Sequence, residues 1–207
     1  IAGSTNLLLH IPAIAHEAGI DRDWWSFFDE MSHKIPLITE IAPNGKYYFN
    51  DFERAGGMKA LMKTLLPLLN SDCMTVNGKT LEENYKDAAV YDTDVIHTLD
   101  APVSEDGGIS VLKGNLAPEG AILKTAAVPE NMMHFEGKAM VYSEVDEAIK
   151  ALRNGEIKAG SVVVINYLGP KGRFGTTAFT FQKELAGMDI YDKVAIVTDG
   201  RFSGGSS

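Results

Sequence analysis

Lys193-Val194-Ala195-Ile196-Val197-Thr198-Asp199-Gly200-Arg201-Phe202-Ser203-Gly204-Gly205-Ser206-Ser207 is the stretch on which the fold turns. Val194 to Thr198 is a short apolar, mostly β-branched run of the kind a buried strand needs, and it stops at Asp199-Gly200. A strand ends there and a loop begins. Gly200, Gly204 and Gly205 let that loop take conformations closed to residues with a Cβ and come close to a ligand. Its free N–H groups, the Ser203 hydroxyl and the Arg201 guanidinium suit a carboxylate or a developing oxyanion. On residue types alone, a Ser/Gly-rich turn leading into a helix N-cap is the simpler reading.

Working back from this stretch, Ser161 to Ile165 is a second buried-looking strand, followed by the loop Gly169-Pro170-Lys171-Gly172-Arg173-Phe174-Gly175. A short helix from Thr177 to Leu185 connects that loop to the strand at 194–198. Two glycine-rich loops that each follow an apolar strand converge on one edge of a sheet, where open α/β folds bind ligands. Ala139 to Tyr142 predicts a third strand, and Ser143 caps a helix from Glu144 to Arg153 that Gly155 terminates. Ile109–Leu112 and Ala121–Leu123 predict strands joined by the polar turn 114–120. Tyr91 to Asp106, with four aspartates, Pro102 and little periodicity, suits a linker between domains.

The first ninety or so residues read as helix-rich, packed on a sheet that lies mostly elsewhere. Gly3-Ser4-Thr5-Asn6 precedes Leu7, Leu8, Ile11, Ile14 and Ala15 at helical spacing, with Ser4 or Thr5 as N-cap and a late start or kink at Pro12. The N-terminus of this helix is a candidate anion site. His10 and His16 fall on different faces, which argues against a metal pair. Asp21 to Lys34 predicts a helix with Trp24, Phe27, Phe28 and Met31 as a core stripe. A strand over Pro36–Ile41, a turn at Pro43-Asn44-Gly45, a short helix capped by Asn50 or Asp51 and broken at Gly56-Gly57, and a helix over Met58–Leu69 follow. Val76-Asn77-Gly78 is a turn, and Thr80-Leu81-Glu82-Glu83 is a capping-box pattern.

With 207 residues the chain can build one large domain or two small ones, each with a core. A formal charge of −9 with dispersed Lys and Arg argues against a nucleic-acid surface. No apolar run reaches the ~18 residues of a membrane span, and no leader pattern precedes the first residues, so the expectation is a soluble, cytoplasmic protein. A single cysteine, Cys73, allows no internal disulfide and no thiolate set for zinc or an iron–sulfur cluster, and reads as a small buried hydrophobe. The opening on Ile1 and the close within a Gly/Ser loop predict an internal piece of a longer polypeptide.

Across nearly its whole length the sequence resembles the dihydroxy-acid dehydratase family, which also includes dehydratases of sugar acids. The resemblance rests on Gly3-Ser4-Thr5-Asn6, Thr75-Val76-Asn77-Gly78-Lys79-Thr80, Asp94-Val95-Ile96, Gly107-Gly108-Ile109, Lys113-Gly114-Asn115-Leu116-Ala117-Pro118, Phe135-Glu136-Gly137, Gly169-Pro170-Lys171-Gly172 and Thr198-Asp199-Gly200-Arg201-Phe202-Ser203-Gly204-Gly205. It implies an α/β fold in which residues 1–92 are the last part of an N-terminal α/β domain and 93–207 begin a swivelling, β-barrel-like (β/β/α) domain. The implied reaction removes water from a 2,3-dihydroxy acid to give a 2-keto acid, as in isoleucine and valine synthesis, with an iron–sulfur cluster and Mg²⁺. Homodimers or homotetramers are implied as well.

By the same resemblance Ser203 is the base that takes the C2 proton, held as an alkoxide by Arg201 and the Gly204 and Gly205 amides. Lys171, Ser4, Thr5 and Asn6 are implied substrate-binding residues. The implied cluster cysteines and two Mg²⁺ ligands belong to sequence before residue 1, and Cys73 matches none of them. The family's remaining Mg²⁺ ligand, a glutamate, falls on Ala178, or on Thr177 with a shifted gap, and neither binds a hard cation as a carboxylate would. Glu184 is near in sequence but does not match the motif. This departure leaves two rival expectations beside the dihydroxy-acid enzyme: a sugar-acid (aldonate) dehydratase, and a paralogue without catalysis that serves as a binding or assembly subunit.

Overall fold

The protein is described by a computed structural model over residues 3–42, 45–169 and 178–202. It is a mixed α/β chain that divides into two compact units, with the change between Ala127 and Val128; Ser4–Leu7 groups with the second unit. Among the described residues there is no closed barrel, and the strands form one two-stranded and one three-stranded sheet.

In the first unit, α1 (Leu7–Glu17) runs through Pro12 rather than starting after it. Pro12 lies past the first turn, so the helix goes on without the N–H that would have bonded the Leu8 carbonyl. Only Ala15 of this helix is buried, while Ile11 and Ile14 are exposed; the expected core stripe of the next helix, Trp24, Phe27, Phe28 and Met31, is only half-buried. His10 and His16 are both exposed on it. α2 (Trp24–Lys34) starts at Asp23, whose carboxylate accepts the Ser26 N–H at 3.2 Å and the Ser26 hydroxyl at 2.6 Å. Both bonds favour the ionised form and hold the Asp23 carboxyl below its usual range, the side-chain bond first.

The expected strand over Pro36–Ile41 is absent: Leu37 makes a single antiparallel bridge to Ser104 and Ile41 a single bridge to Tyr47. Its apolar side chains still go inward, because Leu37 and Ile38 are buried. α3 (Phe49–Arg54) begins at Tyr48, whose N–H donates to Asp51 at 2.9 Å, and Gly56, at φ +118°, separates it from α4 (Gly57–Leu65). A 3₁₀ turn at Leu66–Leu68 absorbs Pro67, which shortens the helix expected to reach Leu69. α5 (Leu81–Tyr85) has the expected reciprocal cap, with Glu83 N–H on the Thr80 hydroxyl at 3.2 Å and Thr80 N–H on the Glu83 carboxylate at 2.8 Å.

Residues 91–106 carry no regular element, yet Val95 and Ile96 are buried in one cluster with Ile38, Phe52, Ala55, Ala60, Leu61 and Leu65. The stretch that composition marks as a linker is therefore part of the first unit's core. β1 (Ser110–Leu112) and β2 (Ala121–Leu123) pair antiparallel, as the sequence predicts. Cys73 is exposed, contrary to expectation, because it sits in the surface turn that leads into the Met74–Thr80 bridge.

The second unit positions the candidate site. β3 (Lys138–Tyr142), α6 (Val145–Arg153), β4 (Ser161–Ile165), α7 (Ala178–Ala186) and β5 (Ala195–Thr198) follow one another, and the strands pair in parallel in the order β3-β4-β5. Parallel neighbours need a crossover, and each helix supplies one. Alternate residues of β4, Val163 and Ile165, are fully buried against Phe181, Leu185, Ala148 and Leu152. Burying Phe181, Val163 and Ile165 contributes roughly 1.5–3 kcal/mol each before the chain entropy that opposes it. At Gly137, before β3, a Cβ would collide with the Gly160 carbonyl, so only glycine fits. No helix among the described residues is long and apolar enough to cross a membrane.

Candidate functional site

β4 and β5 end side by side, Ile165 opposite Thr198, so the chain leaves two neighbouring parallel strands at the same edge. Parallel register alone brings together the residues that open the two glycine-rich loops. Each exit is anchored by an apolar side chain: Leu168 is fully buried in the second unit's core, and Phe202 packs against the same cluster. The polar residues between strand and anchor are thereby held at the edge instead of entering the core.

After β4, the Asn166 N–H donates to the Tyr142 carbonyl at 3.0 Å, which carries the pairing with β3 one residue beyond the strands. Tyr167 then takes φ +60°, the left-handed region, and it alone among the described non-glycine residues does so. Its ring is exposed, and the next residue, Leu168, turns into the core. After β5, the Gly200 N–H donates to Thr198 Oγ1 at 3.0 Å. Asp199 reaches across to β4, where its Oδ1 accepts the Leu168 N–H at 2.8 Å.

Two buried polar atoms near this edge have no hydrogen-bond partner among the described residues: Arg201 Nε and Asn166 Oδ1. An unsatisfied buried donor or acceptor costs about 1–3 kcal/mol, and such groups persist where a ligand completes them. A guanidinium N–H and an amide oxygen together match a carboxylate and a hydroxyl. Burial pushes the Tyr142 phenol, at the end of β3, up from its usual value, and Glu156 adds to the shift.

Of the residues expected from sequence, Arg201 lies half-buried at this edge. Ser4, Thr5 and Asn6 form a half-buried turn before α1 in which the Asn6 N–H donates to Ser4 Oγ at 3.3 Å, so Ser4 closes the turn and is not the N-cap. Lys171, Thr177, Ser203, Gly204 and Gly205 lie outside the described residues. Ala178 opens α7 with its methyl fully buried in the core cluster. Sequence singles out neither Asn166 nor Tyr167, whose one signal is their place just past an apolar run, and gives Asp199 no role beyond ending the 194–198 run and standing in a family motif.

The described residues do not fit a metal or cluster site. No three His, Cys, Asp or Glu side chains come together among them, Ala178 offers only a buried methyl, and Cys73 stands alone at the surface. Glu184 is already engaged: its two carboxylate oxygens accept from Arg153 Nε at 3.1 Å and from the Arg153 guanidinium Nη2 at 2.8 Å.

A parallel β-α-β-α-β unit with two buried polar atoms near its carboxyl edge that lack a partner among the described residues defines an α/β protein of the kind that binds ligands at that edge. The model of the family "Dihydroxy-acid/6-phosphogluconate dehydratase C-terminal" matches residues 94–207, and that of its N-terminal counterpart matches residues 1–84. The chain belongs to the dihydroxy-acid/6-phosphogluconate dehydratase family. It is similar to the dihydroxy-acid dehydratase of Ignicoccus hospitalis, 47% identical over 207 residues that cover 99% of this chain and 37% of the relative. The Agathobacter rectalis protein of the same name is 48% identical over 206 residues, 98% of this chain and 37% of its own length. That of Methanococcoides burtonii is 44% identical over 211 residues, 100% of this chain and 38% of its own. The chain thus spans less than two fifths of the length of the curated relatives it matches.

Proposed function

We propose that this chain is part of a hydro-lyase that removes water from a 2,3-dihydroxy carboxylic acid and leaves a 2-keto acid, with Ser203 as the base. The observation that carries the reading is the buried Nε of Arg201, which has no hydrogen-bond partner among the described residues and lies two residues before Ser203, just past the β5 edge. A serine hydroxyl is normally far too weakly acidic to work as a base, so it must be held as an alkoxide by cationic or N–H neighbours. Arg201 and the amides of Gly204 and Gly205 are proposed for that task, and Lys171, Ser4, Thr5 and Asn6 for holding substrate. The alkoxide takes the C2 proton, the C2–H electron pair forms the C2=C3 bond, and the C3–O bond breaks with its pair on oxygen; the serine hydroxyl then gives the proton it gained to the departing hydroxide, so water leaves and the alkoxide is restored. The resulting enol then becomes the ketone.

The implied iron–sulfur cluster is assigned to ligands outside residues 1–207, and any Mg²⁺ site would have to form without a carboxylate at position 178. In the same proposal residues 1–92 end an N-terminal α/β domain, 93–207 begin a swivelling β-barrel-like domain, and the enzyme works in the cytoplasm as a homodimer or homotetramer. The test is 2-keto acid release by the full-length, anaerobically prepared protein with its cluster intact. Turnover with a branched dihydroxy acid, lost on Ser203→Ala in folded protein, is expected; no product from any dihydroxy acid or aldonate would end the proposal.

Two other readings have their own support. The matched family description names 6-phosphogluconate dehydratases too, so sugar acids are the second substrate class, and rates measured side by side decide between the classes. The buried methyl of Ala178 supports a subunit without catalysis, a reading that stoichiometric Mg²⁺ at the site or measurable turnover removes.

A further inference from the structure

We propose that Asp199 is a positioning residue: its carboxylate ties the exit of β4 to the exit of β5 and so fixes where the Ser203 loop starts relative to the loop after Gly169. The inference rests on the reading of Ser203 as the base. Asp199 Oδ1 accepts the Leu168 N–H at 2.8 Å, a charge-assisted bond between two segments that no longer pair as strands. The second oxygen, Oδ2, lies 3.7 Å from where a Cβ on Gly169 would stand, so the whole carboxylate covers the Leu168-Gly169 backbone.

The tether holds a strained turn. Tyr167 at φ +60° costs energy that glycine would not incur, and such outliers persist only when their surroundings over-determine them. Here the determinants flank it on both sides: the Asn166 N–H on the Tyr142 carbonyl, and the Leu168 N–H on Asp199, with the Leu168 side chain buried in the core. Removing the Asp199 oxygen releases one of these and lets the turn relax. On the β5 side Phe202 anchors the chain in the core, so the four residues from Asp199 to Phe202 are held at both ends. A base must stand within hydrogen-bond reach of its proton, and a misplacement near 1 Å costs about 100-fold in rate.

Asp199→Asn keeps an oxygen that can accept the Leu168 N–H and removes the charge; Asp199→Glu keeps the charge and moves the oxygen one methylene further out. Asp199→Ala removes both. In the full-length holoenzyme, Asp199→Glu and Asp199→Ala are expected to lower kcat about 10- to 100-fold with KM changed less than about threefold. Asp199→Asn is expected to recover at least a third of kcat, and Tyr167→Gly added to Asp199→Ala to recover part of it. Amide exchange at Leu168, read on the same proteins, should quicken at least about tenfold in the Ala and Glu variants and not in the Asn variant.

The polar Glu and Asn variants carry the test if Asp199→Ala does not fold. Unchanged Leu168 protection in both Asp199→Glu and Asp199→Ala, or an Asn variant as impaired as the Glu variant, would overturn the proposal. Loss of melting temperature with kcat per folded molecule intact would reduce Asp199 to a structural role and overturn it too. Ser203→Ala measured in parallel separates the two ideas: turnover surviving there sinks the base assignment, while the exchange data judge the tether alone.

Discussion

Ala178 occupies the first position of α7 with its methyl inside the second unit's core. A glutamate placed there must either bury a carboxylate among Phe181, Val163 and Leu185 or push the helix away from the sheet. We expect Ala178→Glu to destabilise the protein by roughly 3 kcal/mol or more, from overpacking and uncompensated charge. Urea melts with and without Mg²⁺ check this, and stability restored by the metal would show that position 178 faces a cation site. Lys124, just after β2, is half-buried, and burial pushes its ammonium below the ordinary value of 10.5. At neutral pH both folded and unfolded chains carry this charge, so the folded state bears the desolvation cost in full. As pH rises through the lowered folded value toward 10.5 the unfolded chain holds more protons than the folded one, and stability from this group rises. Lys124→Met should therefore melt later than wild type at pH 7, with the gap narrowing towards pH 10. At this scale residue type was legible and environment was not: Arg201 and Ala178 could be picked out from their neighbours in sequence, but the burial of the Nε of one and the core packing of the other follow from partners far along the chain.

Among the elements, those built on local chemistry were readable and those built on remote partners were not. Thr80 and Glu83 satisfy each other's backbone N–H within one turn, so the α5 cap could be predicted from four residues. The Thr75-Val76-Asn77-Gly78-Lys79 turn is similarly self-contained. Asn77 Oδ1 accepts the Lys79 N–H at 3.1 Å, and the Asn84 amide donates to the Thr75 hydroxyl at 2.8 Å, which gives this family motif a structural reason for its residues. Pro36–Ile41 had the composition of a strand, but Leu37 finds only Ser104 to pair with, 67 residues downstream by their numbers, and no periodicity reports such a partner. Val95 and Ile96 were lost among aspartates for the converse reason: two adjacent apolar residues make no pattern, though both are buried. The α6–α7 contact belongs to this scale as well. Arg153 and Glu184 link the two helices through two hydrogen bonds, and the arginine is held above its usual value by that carboxylate. Both side chains stay substantially solvated, at 61% and 35% exposure, so solvent screens the pair. Glu184→Ala should lower the melting temperature by under about 3 °C and leave bound divalent metal, measured on the purified full-length protein, unchanged. A drop in metal content would instead return Glu184 to the ligand set.

For the molecule as a whole, the two hydrophobic clusters have no residue in common. One gathers Ile38, Phe52, Ala60, Leu61 and Ile96; the other gathers Val163, Ile165, Leu168, Phe181 and Leu185. Compactness changes at Ala127/Val128 whereas the family matches meet between residues 84 and 94, because β1, β2 and the stretch before them pack on the first unit although they fall within the C-terminal match. Sequence motifs follow ancestry and composition follows solvation, so neither by itself reports which core a segment joins. Phe181 tests the consequence. It is fully buried where α7 meets β4, and Phe181→Ala removes a whole ring from a site whose walls are strands and helices that cannot all collapse inward, at a cost of about 3–5 kcal/mol. If each cluster stabilises mainly its own unit, amide exchange in Phe181→Ala should quicken across β3, β4, β5, α6 and α7 while α3, α4 and the segment around Ile96 keep wild-type protection. Uniform quickening over both sets would mean that the clusters unfold as one cooperative body. The activity readout then follows from the same geometry: the edge that bears Arg201 and Asp199 hangs on the Phe181 core, so the variant should lose turnover at temperatures where the first unit is still fully protected.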